Sequence, residues 1–318
     1  MRILMMGTGG FAVPTFRDLV ASAHEVPAVV TRPTRPASGK KAPPPNPMLE
    51  AAQELGIAVE APESINSEEG LGIVAKYHPD LLVVCDYGQI LSSACLSIPK
   101  LGGINLHGSL LPKYRGAAPV QWAVYNGDAE TGSTVIHMTP KLDGGPILAK
   151  FVTPIDPDEN ALELEQRLAQ QGVAAVQEAI AILESWDGQA VIGQPQDAAQ
   201  VTKAPRLKKQ DGLIDWQRSG RQIYDQLRAF TPWPGVFTNW QRSPGKELRL
   251  IVAEAQPSDS STGAAPAGSV VAADANGMLV ACGSGSLRIT KLQPAGKRVL
   301  AVEEFLRGYP IQPGDQLA

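Results

Sequence analysis

The chain has 318 residues and a formal net charge of −4, and its 43% of hydrophobic residues can fill a sizeable core, with a length that favours two domains. It contains no apolar run long enough to span a membrane and no signal-peptide pattern at its start, so we expect a cytoplasmic protein. The three cysteines, Cys85, Cys95 and Cys282, have no spacing typical of a metal site, which argues against structural zinc and fits a reducing compartment.

The charge is unevenly distributed along the chain. Residues 1–202 contain 13 basic and 22 acidic residues, whereas residues 203–318 contain 15 basic and 10 acidic residues. A basic second part indicates a polyanionic partner, although ordinary scatter of charged residues can produce the same imbalance.

The chain begins in the way that nucleotide-binding α/β domains begin. Residues 3–6 are typical of a buried strand, residues 7–12 are a glycine-rich turn, and the apolar spacing that follows predicts a helix. The turn matches the loose pattern G-x-G-x-x-G/A, which alone identifies no cofactor. The second strand, residues 26–30, lacks the acidic residue with which a dinucleotide-binding domain holds the ribose, while Arg32 leaves a phosphorylated dinucleotide open.

A proline-rich segment follows the second strand. Residues 32–47 contain six prolines and four cations without apolar periodicity, which excludes a helix or a central strand. A loop of this length inside a compact domain is often functional, and its cations suit contacts with phosphate groups. A solvated loop without a ligand is the equal alternative.

Two polar side chains share one face of a predicted strand. We predict that residues 103–107 are the last part of a buried strand, and Asn105 and His107 then project to the same side because side chains alternate along a strand. Gly108 then allows a turn. Considered alone, this pair is better explained by two core residues that are hydrogen-bonded to backbone groups than by a functional site.

Two carboxylates follow neighbouring predicted strands. Residues 80–85 are an uninterrupted apolar strand that ends at Asp86, and the alternating residues 133–138 predict a strand that leads to a tight turn at Asp143. Open α/β sheets bind ligands at the carboxyl ends of their strands, so we expect Asp86, His107 and Asp143 to converge there.

The last part of the chain has a different pattern. A long helix predicted over residues 161–185 precedes a stretch with several Gly and Pro residues, after which short strands alternate with Gly- and Ser-rich turns. This pattern predicts a small β-barrel of the oligonucleotide-binding type. We therefore predict an α/β, Rossmann-like domain over residues 1–189, a linker over 190–209 and a small all-β barrel domain over 210–318. The predicted elements of the last domain are a helix at 220–229 and strands at 248–252, 268–272, 278–282 and 286–289.

Several motifs resemble those of a known enzyme family. Three segments of this chain resemble motifs of the enzymes that take a formyl group from 10-formyltetrahydrofolate. These segments are residues 105–112 (Asn-Leu-His-Gly-Ser-Leu-Leu-Pro), 115–119 (Arg-Gly-Ala-Ala-Pro) and 142–145 (Leu-Asp-Gly-Gly). The second domain of members that formylate methionyl-tRNA resembles this chain at residues 228–235 (Arg-Ala-Phe-Thr-Pro-Trp-Pro-Gly) and 292–297 (Leu-Gln-Pro-Ala-Gly-Lys). The likeness covers nearly the whole chain and implies a formyltransferase domain followed by an oligonucleotide-binding barrel.

The resemblance implies a catalytic trio of Asn105, His107 and Asp143 that works without a metal. Asn105 would donate a hydrogen bond to the formyl oxygen, His107 would stabilise the developing negative charge and donate a proton, and Asp143 would hold His107 in its charged form. The cosubstrate that the resemblance implies is 10-formyltetrahydrofolate. The residues implied for folate binding are Asp86, Tyr87, Gly88, Ile90, Leu91, Ser109, Leu110, Leu111, Pro112 and Leu142.

The acceptor that the resemblance implies is the methionyl group of initiator tRNA. We expect the chain to be a monomer that binds no membrane, and we expect cations of the proline-rich loop and of the second part to follow RNA phosphates. These residues are Arg32, Arg35, Lys40, Lys41, Lys203, Arg206, Lys208, Lys209 and Arg298.

The chain departs from the family pattern in three places. Gly9 and Gly10 stand where relatives usually have Pro followed by Asp or Glu. The basic loop at residues 35–41 is one residue shorter and lacks an inner Arg with which relatives read the acceptor end, so either Arg35, Lys40 or Lys41 replaces it or tRNA discrimination is weaker. Asp86 stands where many relatives have Ala.

Four alternative functions remain open at this point. Related enzymes formylate amino sugars of nucleotides or hydrolyse 10-formyltetrahydrofolate, and they share the trio. A phosphorylated-dinucleotide oxidoreductase would bind its cofactor tightly at residues 7–12, and a non-catalytic RNA-binding protein would bind tRNA without needing His107.

Overall fold

The structure is a computed structural model that describes residues 1–34, 45–243 and 246–318. Arg35, Lys40 and Lys41, which we predict to contact tRNA, lie outside the described residues. The chain divides into two units, each of which contains more than one segment. The first comprises Met1–Val120, Glu130–Ile155 and Glu163–Pro205, and the second comprises Gln121–Ala129, Asp156–Leu162 and Arg206–Ala318.

The first unit is organised around one sheet with helices in the connections. Its strands are β1 (Ile3–Gly7), β2 (Ala28–Val30), β3 (Ala58–Glu60), β4 (Leu81–Cys85), β5 (Gly103–His107), β6 (Arg115–Gly116), β7 (Glu130–His137), β8 (Ile147–Pro154) and β9 (Lys203–Ala204). Its helices are α1 (Val13–Ala21), α2 (Pro47–Leu55), α3 (Glu68–Lys76), α4 (Ser93–Leu96) and, with residues in both units, α5 (Pro119–Tyr125) and α6 (Ala161–Glu184).

Seven of these strands form a sheet of order β3-β2-β1-β4-β5-β7-β8. The strands β1 to β5 are parallel, as expected for a Rossmann-like fold. The central strands β1 and β4 are buried along their whole length, because a parallel sheet in an α/β domain is covered on both faces. Their continuous apolar sequences follow from that burial.

The last two strands of the sheet are antiparallel to their neighbours. His137, at the end of β7, pairs with Ile104 near the start of β5, so β7 ends away from the carboxyl end of β5 where His107 lies. We expected Asp143 to follow a strand that ends beside His107. Instead, the connection at residues 138–146 brings Asp143 back toward His107.

Helix ends in this unit follow from local capping. α2 begins after Asn46, whose side-chain oxygen accepts a hydrogen bond from the Leu49 N–H at 3.0 Å, and it ends at Gly56, which has a φ of +68°. The Asn46 amide also donates to the Thr31 hydroxyl at 3.0 Å, which ties the start of α2 to the end of β2. A cap of this kind contributes about 1 kcal/mol to stability.

Much of the predicted linker is ordered against the first unit. β9 pairs in parallel with β6, and the backbones of Gln194 and Ile147 exchange two hydrogen bonds of 2.8 Å. Residues up to Pro205 therefore belong to the first unit. The domain boundaries at residues 189 and 209 stay predictions.

The second unit contains a six-stranded antiparallel sheet and two helices of its own. The elements are α7 (Gly220–Phe230), β10 (Val236–Ser243), β11 (Lys246–Ser258), β12 (Val270–Asp274), β13 (Gly277–Ala281), β14 (Ser286–Pro294), β15 (Leu300–Ala301) and α8 (Val302–Gly308). The strand order is β10-β11-β14-β13-β12, and β15 pairs with β14. The predicted β domain is confirmed, whereas β10, β15 and α8 were not predicted.

The last residues connect the two edges of this sheet. The Asn239 N–H on β10 donates to the Ala318 oxygen at 2.7 Å, and the Val270 N–H on β12 donates to the Asp315 oxygen at 2.9 Å. Leu317, next to these contacts, is buried. Residues 315–318 thus join the first and last strands of the open order into a barrel-like closure. In the part of the chain that the structure describes, no helix combines the length and the apolar character needed to span a membrane.

Candidate active site

The strand β5 presents two polar side chains on one face. Asn105 pairs with Val84 of β4 on one side and with Ile136 of β7 on the other, which fixes its depth in the sheet. Its side chain is partly exposed, and no described residue forms a hydrogen bond with it. The Asn105 amide is therefore available to a ligand beside His107.

The imidazole of His107 is buried and has one fixed partner. Its Nε2 lies 2.9 Å from the backbone oxygen of Tyr114, and because a carbonyl oxygen only accepts hydrogen bonds, Nε2 carries a proton. Its Nδ1 lies 3.9 Å from Asp143 Oδ2, which is beyond hydrogen-bond distance but within the range of an ion pair. A ligand atom beside this pair can lie within hydrogen-bond distance of both.

A network of backbone and side-chain bonds holds the turn after β5. The Ser109 hydroxyl donates to the Lys113 oxygen at 2.7 Å, and the Thr134 hydroxyl donates to the Ser109 oxygen at 2.7 Å. Tyr114 has a φ of +62°, and its N–H donates to Thr202 Oγ1 at 2.8 Å. These contacts hold the Tyr114 carbonyl within hydrogen-bond distance of His107 Nε2.

The turn that carries Asp143 is tightly constrained. Asp143 has a φ of +47°, a conformation that Asp adopts more readily than most residues. Its Oδ2 accepts a hydrogen bond of 2.9 Å from the Gly116 N–H. A Cβ on Gly145 would lie 1.8 Å from the His137 oxygen, so the second glycine of the Leu-Asp-Gly-Gly motif is needed for close approach to β7.

Gln196 supports this turn and was missed by the sequence analysis. Its amide nitrogen donates at 2.8 Å to the backbone oxygens of Asp143 and Gly145, and its oxygen accepts two hydrogen bonds from the Arg115 guanidinium. Gln196 lies in the predicted linker, where nothing in the local sequence indicates a role. Only the folded chain brings it to Asp143.

Two amide side chains hold the loop after β4, one from Gln89 within the loop and one from Asn66 outside it. Gln89 Oε1 accepts from the Ile65 N–H at 2.9 Å, and Asn66 donates to the Ile90 oxygen at 2.7 Å. Gly88 has a φ of +80°, and Ile90 is 63% exposed. The loop therefore presents an apolar side chain to solvent on a fixed backbone.

The predicted folate-binding residues fall into two groups. The side chains of Asp86, Ile90 and Leu142 are exposed and those of Leu110 and Pro112 are half-buried, while Gly88 offers only backbone. Four others are buried, because they pack into the core or are held by the turn, and only their backbone can reach a ligand. These four are Tyr87, Leu91, Ser109 and Leu111.

Two of the departures from the family pattern meet in the structure. A Cβ at position 9 would lie 1.7 Å from Asp86 Oδ2, so the missing side chain of Gly9 leaves room for this carboxylate. The pKa of Asp86 is raised to about 6, chiefly because the surrounding protein atoms desolvate its carboxyl group although part of the residue is exposed; the negative charge of Glu165 contributes in the same direction, and Arg32 opposes both. Asp86 has a φ of +45°.

The predicted tRNA-binding cations that the structure describes are distributed over both units. Arg32 is half-buried beside the β4 loop, where a Cβ on Gly88 would lie 3.1 Å from its Cδ, and Lys203 is exposed on β9 of the first unit. Arg298 is exposed in the second unit and forms an ion pair with Glu304. The remaining three, Arg206, Lys208 and Lys209, are exposed in the second unit.

The cysteines and possible metal ligands give no second site. Burial raises the pKa of Cys95 to about 11 and that of Cys282 to about 12, and Cys85, also buried, is raised well above its usual value, so all three are thiols at neutral pH. Within residues 1–34, 45–243 and 246–318, no group of three or more His, Cys, Asp or Glu residues is arranged to hold a metal ion.

Two family models match the chain along most of its length. The model described as formyl transferase matches residues 1–180, and the model described as formyl transferase, C-terminal domain, matches residues 206–310. The chain therefore belongs to the formyl transferase family, and the predicted family, fold class and transferase activity are confirmed.

Curated relatives and solved structures agree with this assignment. The chain is 45% identical over 325 residues to a protein of Rhodopirellula baltica named methionyl-tRNA formyltransferase, covering all of this chain and 96% of the relative. A protein of the same name from Geobacter sulfurreducens is 42% identical over 318 residues, again covering all of this chain and 96% of the relative.

Two more distant structures share the fold. HypX from Aquifex aeolicus, solved with tetrahydrofolic acid, has a TM-score of 0.64 at 18% identity and aligns with all of this chain, which spans half of HypX. WlaRD, a sugar 3N-formyl transferase, has a TM-score of 0.64 at 15% identity over 94% of this chain and 99% of its own.

Proposed function

We propose that this chain transfers the formyl group of 10-formyltetrahydrofolate to the amino group of methionyl initiator tRNA. One observation carries the proposal. Asn105, with an available amide, and His107 lie at the carboxyl end of β5, and Asp143 lies beside His107. The two relatives described above, which are named methionyl-tRNA formyltransferase, are 45% and 42% identical to this chain over its whole length.

The loops around this strand end suit a flat, partly apolar formyl donor. Ile90 is 63% exposed and Leu142 is 53% exposed, which is unusual for large apolar side chains unless a ligand covers them. Gly88, with its positive φ, offers backbone groups on the same loop as Ile90. We propose that these residues, with Asp86 and the backbone of residues 109–112, hold the folate.

The amide and the imidazole divide the work of formyl transfer. When the amine nitrogen bonds to the formyl carbon, the formyl oxygen gains negative charge, which the Asn105 amide stabilises by donating a hydrogen bond. One such donor is worth about 2.7–4 kcal/mol in the transition state. Protonated His107 presents an N–H at Nδ1 toward the same region, because its Nε2 proton is already bound by Tyr114.

Asp143 completes the proton balance of the reaction. The amine loses a proton as the new carbon–nitrogen bond forms, and the folate nitrogen gains one as the old bond breaks. Asp143 Oδ2, close to His107 Nδ1, can accept the first proton while His107 donates the second. General acid–base catalysis of this kind contributes roughly 100- to 10,000-fold.

The cations of both units provide contacts for the RNA part of the acceptor. Lys203, Arg206, Lys208 and Lys209 lie within one short stretch of chain with exposed side chains, and Arg298 is exposed elsewhere in the second unit. Cations in this arrangement favour a phosphate backbone. We further propose that Arg32 and, outside the described residues, Arg35, Lys40 and Lys41 contact the acceptor end.

A transfer assay with three acceptors tests the proposal. The enzyme and 10-formyltetrahydrofolate are mixed with methionyl initiator tRNA, with methionyl elongator tRNA or with an amino sugar linked to a nucleoside diphosphate. We expect N-formylmethionine from the initiator tRNA and little from the other two acceptors. Formylation of the sugar nucleotide without formylation of tRNA, or release of formate alone, would overturn the proposal.

A further inference from the structure

A tryptophan of the second unit is exposed without a visible reason. Trp233 is 57% exposed, and in the described part of the chain its indole has no hydrogen bond, aromatic partner or cation partner. Exposing a ring of this size to water forgoes the free energy of burying it, so an isolated exposed tryptophan often marks a binding surface.

The backbone around Trp233 is fixed. The Gly235 N–H donates to the Phe230 oxygen at 2.8 Å, and Gly235 has a φ of +76°. The Thr231 hydroxyl donates to the Leu227 oxygen at 2.8 Å, which ties the turn to the end of α7. Prolines on both sides of Trp233 restrict the backbone further. The ring is therefore presented from a rigid turn, which lowers the entropy cost of binding.

A run of cations lies next to this turn. A Cβ on Gly212 would lie 1.9 Å from the Gly235 oxygen, so the 3-10 turn Lys209–Gly212 packs directly against the Trp233 turn. The Ile214 N–H donates to the Phe237 oxygen at 2.8 Å, so the two segments are also joined two residues after the contact between Gly212 and Gly235. Leu213, between these two anchors, is also 43% exposed.

The three cations that precede this contact are available. Arg206, Lys208 and Lys209 are exposed, and the structure records no ion pair for their side chains with any described residue. An aromatic ring beside several unpaired cations is the combination with which proteins bind single-stranded nucleic acid, because the ring stacks on a base while the cations hold the phosphates.

We propose that Trp233 is a stacking site for an unpaired base of the tRNA acceptor, with Arg206, Lys208 and Lys209 on the flanking phosphates. The inference rests on the proposed function, in which tRNA is the acceptor. Two exposed apolar side chains beside a basic segment are too small an area for a stable protein interface, which buries about 1,200–2,000 Å² in total. The charge and the single ring instead fit a base with its backbone.

Steady-state kinetics of the full chain test this site. We compare the wild type with Trp233→Ala, Trp233→Phe and, as an exposed apolar control in the first unit, Val191→Ala, whose side chain is 95% exposed. Base stacking on an aromatic side chain is worth enough that Trp233→Ala should raise the KM for methionyl initiator tRNA about 10-fold with kcat nearly unchanged. Trp233→Phe keeps a ring and should recover most of this loss.

Salt separates stacking from charge. The ratio of KM between Trp233→Ala and the wild type should stay constant as salt increases, whereas the ratio for Lys209→Ala should fall, because phosphate contacts weaken with salt and stacking does not. Unfolding midpoints and the KM for 10-formyltetrahydrofolate should match in all variants, which shows that each one is folded.

The outcomes distinguish this site from the proposed function. If the wild type does not formylate methionyl-tRNA, the proposed function fails. If the wild type formylates it but Trp233→Ala has a KM within twofold of Val191→Ala, or if Trp233→Phe is as impaired as Trp233→Ala, the stacking site is wrong and the proposed function stands.

Discussion

At the scale of single residues, the site depends on a few polar atoms held by backbone. The Tyr114 carbonyl fixes one nitrogen of His107, and the Gly116 N–H fixes one oxygen of Asp143, so the other nitrogen of His107 faces that carboxylate. Asn105 needs no such support, because its position in the middle of three paired strands sets its depth. The constellation is thus preorganised before any substrate binds.

Replacing Asp143 by Asn tests the charge of this carboxylate. Asn keeps an oxygen that can accept the Gly116 hydrogen bond but cannot take a proton from the amine, so we expect kcat to fall by roughly 100- to 10,000-fold with little change in the unfolding midpoint. Asp187→Asn is the matched control, since Asp187 also accepts backbone hydrogen bonds, from Gln189 and Ala190, but at an exposed turn. Near-wild-type turnover of Asp143→Asn would remove Asp143 from the mechanism.

Asp86 should make stability depend on pH in the direction opposite to most carboxylates. Its pKa is raised from 3.8 to about 6, so between these values the folded state binds more protons than the unfolded state and stability falls as pH rises. Asp86→Asn should therefore be more stable than the wild type at about pH 8, and the difference should vanish toward about pH 4. Urea unfolding across this range measures it.

The control for this pH effect has the opposite sign. Backbone N–H groups of Ala190 and Gln189 hold the pKa of Asp187 below its usual value, so its ionised form is favoured by folding. Asp187→Asn should accordingly be less stable than the wild type at neutral pH, and this difference should disappear as the pH falls and the Asp187 carboxylate is protonated. A difference between Asp86→Asn and the wild type that does not change with pH would contradict the assigned desolvation of Asp86.

At the scale of elements, the short pair β6–β9 connects the turn that carries Asp143 to the rest of the first unit. Gly116 donates to Asp143 and approaches β9 so closely that a Cβ would lie 2.3 Å from the Ala204 oxygen, at a φ of +131°. Gln196, a few residues before β9, holds the same turn from its other side. The segment at residues 194–204 therefore positions Asp143.

Substituting Gly116 by Ala tests this positioning. The added Cβ meets backbone rather than a flexible side chain, so β6 and β9 must separate, and we expect a loss of roughly 1–3 kcal/mol in unfolding free energy together with a lower kcat. Gly10→Ala is the control, because a Cβ there meets no atom within 4 Å. Equal stability and turnover of the two variants would show that β6 does not position Asp143.

Residues 315–318 have a comparable role in the second unit. Leu317 is buried where the chain joins β10 and β12, so Leu317→Ala should destabilise the protein by roughly 2–5 kcal/mol. Leu162→Ala, at a side chain that is 48% exposed, should change stability little. Thermal unfolding of both variants measures the contrast, and similar midpoints would mean that Leu317 does not support the closure.

How far sequence predicts each element depends on where its contacts come from. β1 and β4 were predictable because each has a continuous apolar sequence, and the shared face of Asn105 and His107 on β5 follows from strand alternation. The reversal of β7 was not predictable, because an alternating strand has the same pattern in either direction. Gln196 holds a turn that is distant in sequence, and the Tyr114 backbone that contacts His107 is itself held by the distant Thr202. Gly9 and Asp86 lie against each other only in the folded chain.

At the scale of the whole molecule, the chain combines a formyltransferase unit with a basic second unit. The family models cover both parts, and relatives at 42–45% identity align over the full length. The first unit carries the groups that we propose for the chemical step, and the second carries exposed cations and an exposed tryptophan. This division accounts for an acidic first part and a basic second part in one chain.

The central claim is that this chain formylates the amino group of methionine on initiator tRNA. The most direct measurement is the mass of the methionine released from the tRNA after a single turnover with 10-formyltetrahydrofolate. We predict that the released amino acid is N-formylmethionine in an amount close to that of the enzyme. Unmodified methionine, with the formyl group recovered as formate or on another acceptor, would contradict the claim.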